Sequence, residues 1–213
     1  MYRDEPIAKY LADAAAKLPA PGGGSVSALA GALGASMASM AANFTVGKKK
    51  FRDVEPQVRD LLEKFQDGMN ELLGLVDRDV EAYSTVSAAY AMPKDTDEQK
   101  KARTAAIQDA LKVALDAPLK TLRQCHRLVG LLDRLVETAN PNLISDVGVA
   151  AILLEAALRG AKINVEINLA YLKDQDFVRQ TASEIDAAAR EAAATAASVI
   201  ERVYAKMGWP RSG

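Results

Sequence analysis

A chain of 213 residues with a formal net charge of -1 has room for one full core and carries no global field to hold it on nucleic acid or an anionic membrane. Hydrophobic residues make up 49% but aromatics only 5%, so the core must be alanine, leucine and valine, which favours packed helices over sheets. One cysteine, Cys125, and one histidine, His126, exclude an internal disulfide and a clustered soft-ligand metal site, and fit a reducing cytoplasm.

The opening Met1-Tyr2-Arg3-Asp4-Glu5 is too charged for a secretory signal, so a cytoplasmic chain is expected. Ile7, Tyr10, Leu11, Ala14 and Leu18 then recur at helical spacing and predict a short first helix that stops before Pro19 and Pro21. The glycine loop Gly22-Gly23-Gly24 follows, with Ser25 as N-cap of a second helix. In that helix Val26, Leu29, Leu33, Met37 and Met40 mark one stripe, and alanine, glycine or serine fill most other positions, which suits burial on several sides. Residues 18–47 carry no charge, yet small residues give little drive into lipid, so no membrane span is expected.

Beyond the lysine turn, Asp53 or Pro56 opens a long third helix along Val58, Leu61, Leu62, Phe65, Met69, Leu72, Val76, Val80 and Tyr83, running close to Met92. Thr96 with Gln99 reads as a capping box for a fourth helix ending near Pro118, from which a fifth runs towards Thr138. Asn140-Pro141-Asn142 is a turn into a sixth helix along Val147, Ala151, Leu154, Leu158, Val165 and Leu169, and a last helix spans about 177–207. No strand alternation, hairpin signal or fixed-period repeat is present. The expectation is one all-α domain over 1–213, a multihelical up-and-down bundle of six or seven helices.

Asp79 is the most informative charged residue. At helical spacing it projects within roughly 60° of Leu72, Val76 and Tyr83, in the middle of the third helix's apolar face, while Asp77 and Glu81 project to the opposite side. An ionised carboxylate there is costly unless paired, so it either finds a cation in a purely structural role or takes a raised pKa suited to acid–base work. Residues 21–25 bring bare backbone N–H groups to a helix N-terminus, which suits a carboxylate, phosphate or polarised carbonyl, although an ordinary interhelical loop has the same composition. Lys48, Lys49 and Lys50 sit where the helix dipole favours cations, as solvated caps or as an anion site. Asn142, Ser145 and Asp146 include capping types, whereas Asn164 and Asn168 share one face of an apolar helix and need partners. His126 and Cys125 lie beside the apolar stripe and read as structural.

In order along the chain, Pro21-Gly22-Gly23-Gly24-Ser25, Asn43-Phe44-Thr45-Val46-Gly47-Lys48-Lys49-Lys50, Asp79-Val80-Glu81-Ala82-Tyr83 with Met92-Pro93-Lys94, and Asn142 to Asp146 leading into Asn164-Val165-Glu166-Ile167-Asn168 resemble the formiminotetrahydrofolate cyclodeaminase family, a group that includes the bacterial methenyltetrahydrofolate cyclohydrolases. Met92 stands where leucine is more usual, and Pro141 stiffens a turn that need not contain proline. The resemblance implies an interlocked all-helical homodimer with folate sites near the subunit contact. It implies Asp79 as the catalytic carboxylate, with Gly22, Gly23, Gly24, Ser25, Asn43, Lys48, Lys49, Lys50, Asn142, Asp146 and Asn164 as ligand contacts. No metal and no cofactor beyond the tetrahydrofolate substrate is implied. The reaction expected is cyclisation of 5-formimino- to 5,10-methenyl-tetrahydrofolate with loss of ammonia. The alternative is hydrolysis of 5,10-methenyl- to 10-formyl-tetrahydrofolate, and a helical dimerisation module without enzymatic activity is a third reading.

Overall fold

A computed structural model of the chain describes residues 1–209. Its helices are α1 (Ile7–Ala15), α2 (Gly23–Asn43), α3 (Glu55–Ala91), α4 (Asp97–Thr138), α5 (Ile144–Leu169) and α6 (Gln175–Met207), with short 3-10 turns at Tyr2–Asp4, Lys49–Phe51 and Pro141–Leu143. No strand occurs among the described residues. The bundle is built around α2, which packs chiefly on α5 and α3 and also on α4, while α6 closes the far side of α5 and α4.

Local chemistry sets most of the boundaries. Pro56 occupies the first turn of α3, where its missing N–H costs nothing. The Thr96 hydroxyl accepts from the Gln99 N–H at 3.2 Å and the Gln99 side chain accepts from the Thr96 N–H at 3.1 Å, so the expected capping box opens α4. Asp174 accepts from the Phe177 N–H at 3.2 Å to start α6, and Gly208 ends it in the left-handed region at φ 66°.

Three expectations are corrected. Pro118 does not divide two helices: α4 runs through it unbroken to Thr138, which leaves six α-helices among the described residues, within the six or seven expected. Pro118 is buried between neighbours on both sides, and packing along the whole length of α4 outweighs the single N–H that proline withholds from the Ala114 carbonyl. Ser25 is not an N-cap, because α2 begins two residues earlier with Gly22 in the capping position.

The stripe of large residues on α2 is split: Leu29 and Met37 pack partly buried against the core, but its other members do not. Val26, Leu33 and Met40 are exposed, whereas Ala28, Ala35, Ala38, Ala41 and Ala42 have no exposed surface. Close helix approach explains the inversion: a Cβ at Gly34 would lie 2.8 Å from Leu154 Cγ and 3.1 Å from the Leu154 backbone nitrogen, so α5 rests directly on the α2 backbone. Only small residues permit that contact, and fully buried Leu154 and Leu158 of α5 supply the apolar bulk against it. By length and composition α2 is the one described helix able to cross a membrane, yet 61% of its apolar window is buried inside the fold.

Candidate functional site

Asp79 sits on α3 opposite the first turn of α2, half-buried. Its Oδ2 accepts a hydrogen bond from the Ser25 N–H at 2.8 Å. The glycine loop makes this approach possible: a Cβ on Gly24 would fall 2.2 Å from Asp79 Oδ1 and 2.7 Å from its Cγ, which no side chain could share. Burial pushes the Asp79 carboxyl above the ordinary carboxylate range, and the Ser25 N–H pulls part of the way back. The N-terminal end of α2 adds a partial positive charge that favours the ionised form.

The glycine loop therefore presents its helix N-terminus to a carboxylate of the chain itself. Among the described residues no lysine or arginine forms an ion pair with Asp79, so the purely structural reading of this acid as half of a buried salt bridge does not describe it there. An acid that is desolvated, raised in pKa and held by one backbone donor is suited to taking and returning a proton.

Asp79 opens into a hollow of about 320 Å³, at the lower end of the range of small-molecule sites. Gly22, Gly23 and Gly24 form one wall, Tyr83 and Val86 continue from Asp79 along α3, and Asn164, Ile167 and Asn168 face them from α5. Asn164 Nδ2 donates to the Gly160 carbonyl at 2.8 Å and Asn168 Nδ2 to the Asn164 carbonyl at 2.8 Å, which fixes both amides on this face and leaves their oxygens as acceptors. Ala114 of α4, with Pro19 and Ala20 before the glycine loop, completes the lining. It lies four residues before Pro118, so its carbonyl is the one deprived of a helical N–H.

Sequence reasoning passed over six contributors. Tyr83 counted as core, yet it is 47% exposed and borders the hollow; its place one turn after Asp79 was the available signal. Val86, seven residues after Asp79, shares its helix face and carried the same signal, whereas Pro19, Ala20, Ala114 and Ile167 carried none of their own. Asp77 does not point to solvent as its angle suggested, being only 7% exposed: the 3-10 turn at Tyr2–Asp4 covers that side of α3, and the Tyr2 N–H donates to Asp77 Oδ1 at 2.6 Å.

The other expected contacts lie elsewhere in the chain. Asn43, Lys48, Lys49 and Lys50 are exposed at the opposite end of α2, which places them about 30 Å from the glycine loop at 1.5 Å per residue. Asn142 and Asp146 belong to this second group, because the Asn140 N–H donates to Thr45 Oγ1 at 2.8 Å and ties the start of α5 to the end of α2. One chain thus holds two clusters, Gly22, Gly23, Gly24, Ser25, Asp79 and Asn164 at one end of α2, and Asn43, Lys48, Lys49, Lys50, Asn142 and Asp146 at the other.

Cys125 is fully buried, its thiol pushed up to about 12 by burial, which makes it inert. His126 pairs with Glu191 on the surface at 3.0 Å. No group of three or more His, Cys, Asp or Glu able to hold a metal occurs among the described residues.

The formiminotransferase-cyclodeaminase family matches residues 6–187. A methenyltetrahydrofolate cyclohydrolase of Methylorubrum extorquens is 41% identical over 97% of this chain and 100% of its own. A formimidoyltransferase-cyclodeaminase of Rattus norvegicus is 35% identical over 95% of this chain, which spans 38% of that longer protein. The crystal structure of a formiminotetrahydrofolate cyclodeaminase from Thermotoga maritima superposes with a TM-score of 0.79 at 30% identity, covering 98% of both chains.

Proposed function

The chain belongs to the formiminotransferase-cyclodeaminase family, and we propose that it catalyses proton-coupled bond exchange at the one-carbon unit of tetrahydrofolate, with Asp79 as its acid–base group. The observation that carries this reading is a desolvated carboxylate, without a cationic partner among the described residues, at the wall of a hollow that also gathers the glycine loop, Tyr83 and the α5 amides.

In the cyclodeaminase direction, N10 of protonated 5-formimino-tetrahydrofolate attacks the formimino carbon and a tetrahedral centre forms. Ionised Asp79 takes the N10 proton and returns it to the amine, which leaves as ammonia while the positive charge passes to the 5,10-methenyl bridge. In its ionised form the carboxylate also stabilises that cation, more strongly in a dry hollow than in water. Tyr83 offers an aromatic face, and the Asn164 and Asn168 oxygens accept from ring N–H groups.

The cyclohydrolase direction uses the same carbon. Asp79 takes a proton from water as it adds to the methenyl bridge, and N5 is protonated as the ring opens to 10-formyl-tetrahydrofolate, with one proton released. The specific observation favouring this second reading is that the co-extensive 41%-identical relative is named a cyclohydrolase.

A second copy of the chain completes the proposal. Val26, Leu33 and Met40 of α2 lie at seven-residue intervals on one exposed stripe, and Val149, Ile152, Ile163 and Ile167 form another on neighbouring α5. A twofold axis across this face would bring the glycine-loop end of one α2 to the lysine end of the other, uniting the two clusters; the lysines would then take the glutamate tail of the folate. A thiol-containing chain of this kind suits the cytoplasm.

The test offers purified protein 5-formimino- and 5,10-methenyl-tetrahydrofolate separately while following methenyl absorbance and ammonia release. Ammonia with rising methenyl absorbance supports the first reaction, and methenyl loss without ammonia supports the second. Turnover of neither overturns the enzymatic reading.

A further inference from the structure

Ser25 differs from the other serines of α2 in where its hydroxyl goes. Ser27, Ser36 and Ser39 bond back to carbonyls of their own helix, at 2.7, 2.7 and 2.9 Å. The Ser25 hydroxyl leaves the helix and meets the Tyr10 hydroxyl of α1 at 2.9 Å. Tyr10 is 4% exposed and Ser25 is fully buried, so neither hydroxyl has water as an alternative. The same Ser25 residue donates its backbone N–H to Asp79.

The arrangement matters because of what surrounds it. Gly22, Gly23 and Gly24 immediately precede Ser25, so at the start of α2 the chain has no side chain before that of Ser25 with which to grip its neighbours. The Ser25–Tyr10 bond is the side-chain tether at this point. Tyr10 is itself fixed edge-on against the Tyr2 ring, with centroids 5.4 Å apart and planes at 89°, and Tyr2 is held in turn by Asp13 and Asp77.

We propose that Tyr10 is a positioning residue: through its bond to the Ser25 hydroxyl it holds the Ser25 N–H against Asp79, and so sets the proton affinity at which that carboxylate works. The inference rests on Asp79 acting as the acid–base group proposed above. Few other charges compete for this control. Among the described residues the lining of the hollow contributes no charged side chain besides Asp79; Tyr83 on α3 and Tyr10 on α1 are the titratable neighbours, while α4 and α5 present Ala114, Ile167 and two amides. Burial above all, and then the negative charges of Asp79 and Asp77, raise the Tyr10 phenol above its ordinary range, against the Ser25 bond that lowers it, and keep it protonated and available for the bond.

Three variants test it: Tyr10→Phe, Ser25→Ala, which retains the backbone donor, and the two combined. The double variant leaves neither hydroxyl orphaned and serves as the folded comparator. Loosening the N–H removes the interaction that lowers the Asp79 proton affinity, so its carboxyl should titrate at higher pH. Carbon-13 titration of the Asp79 carboxyl, assigned by its loss in Asp79→Asn, should therefore move up in each single variant. The acid limb of the kcat profile should move with it. At neutral pH kcat should fall about tenfold, a fraction of the ~10²-fold that a full 1 Å misplacement costs, with KM changed by less than about twofold. The double variant should lose no more than either single one.

An unmoved Asp79 titration in Tyr10→Phe overturns the inference, as does a kcat loss that tracks melting temperature alone. The carboxyl titration reads Asp79 without turnover. Activity surviving in Asp79→Asn would therefore count against the proposed chemistry, while the titration would still decide the role of Tyr10.

Discussion

Gly24→Ala is the sharpest perturbation the structure offers, because it adds one methyl group at the point of closest approach. The new Cβ would lie 2.2 Å from Asp79 Oδ1 and 2.9 Å from Oδ2, whereas non-bonded heavy atoms settle near ~3.5 Å. Since α2 is held by α3, α4 and α5 along its length, the carboxylate must be the group that retreats, by about 1 Å. That displacement breaks the 2.8 Å bond from the Ser25 N–H and carries the acid away from the carbon it serves. A misplacement of this size costs about 10²-fold in rate. The lost charge-assisted bond costs about 1.5–3 kcal/mol, and the helix preference of alanine over glycine returns up to ~1 kcal/mol. The net loss of about 0.5–2 kcal/mol lowers the melting temperature by at most several degrees in a chain of this size, so the variant stays folded. Turnover followed through methenyl absorbance should show kcat down about 10²-fold with KM little altered. Wild-type kcat and an unshifted pH profile in a folded Gly24→Ala protein would refute the argument that this contact aims the carboxylate.

Lys48→Ala combined with Lys50→Ala should weaken a polyglutamylated substrate more than the monoglutamate, with the difference shrinking as salt is raised; equal losses would mean that these lysines contact no tail. Leu33→Glu leaves the single chain's core intact, because Leu33 is 49% exposed, yet it places a charge on the proposed subunit face. Sedimentation should then show a monomer with greatly reduced turnover, and an unchanged dimer would remove this face from the contact. The pH dependence of stability has a definite sign. The raised Asp79 carboxyl holds its proton more tightly folded than unfolded, so its contribution is fully present below the unfolded pKa and is lost as pH rises through the folded one. Wild type should therefore lose stability relative to Asp79→Asn across that rise, and urea titrations showing the opposite trend would contradict the burial of the charge.

Much of the architecture is legible in particular residues. Thr96 and Gln99 announce α4 because the capping box is a local, self-contained pattern, and Asp79 stands out because an acid on an apolar face conflicts with its surroundings. Where reading fails, tertiary contact overrides a local rule. Proline ends a helix on local grounds, but buried Pro118 is carried through by packing on both sides. Large apolar residues mark a core face on average, but Gly34 against Leu154 requires the small face of α2 to turn inward and leaves Leu33 outside. Asp77 looks exposed on a helical wheel because the wheel knows nothing of Tyr2, 75 residues distant along the chain. The tether from Tyr10 to Ser25 has the same character. Two hydroxyls 15 residues apart carry no periodic signal, and only the folded chain shows them meeting.

The most direct measurement compares wild type and Asp79→Asn for turnover and for ligand-induced stabilisation in the same preparation. The account predicts that folinic acid raises the melting temperature of both proteins alike, while kcat of the variant falls by about 10²- to 10⁴-fold. Near wild-type turnover in Asp79→Asn would contradict the account, as would a fall in activity matched by an equal loss of folinic acid binding.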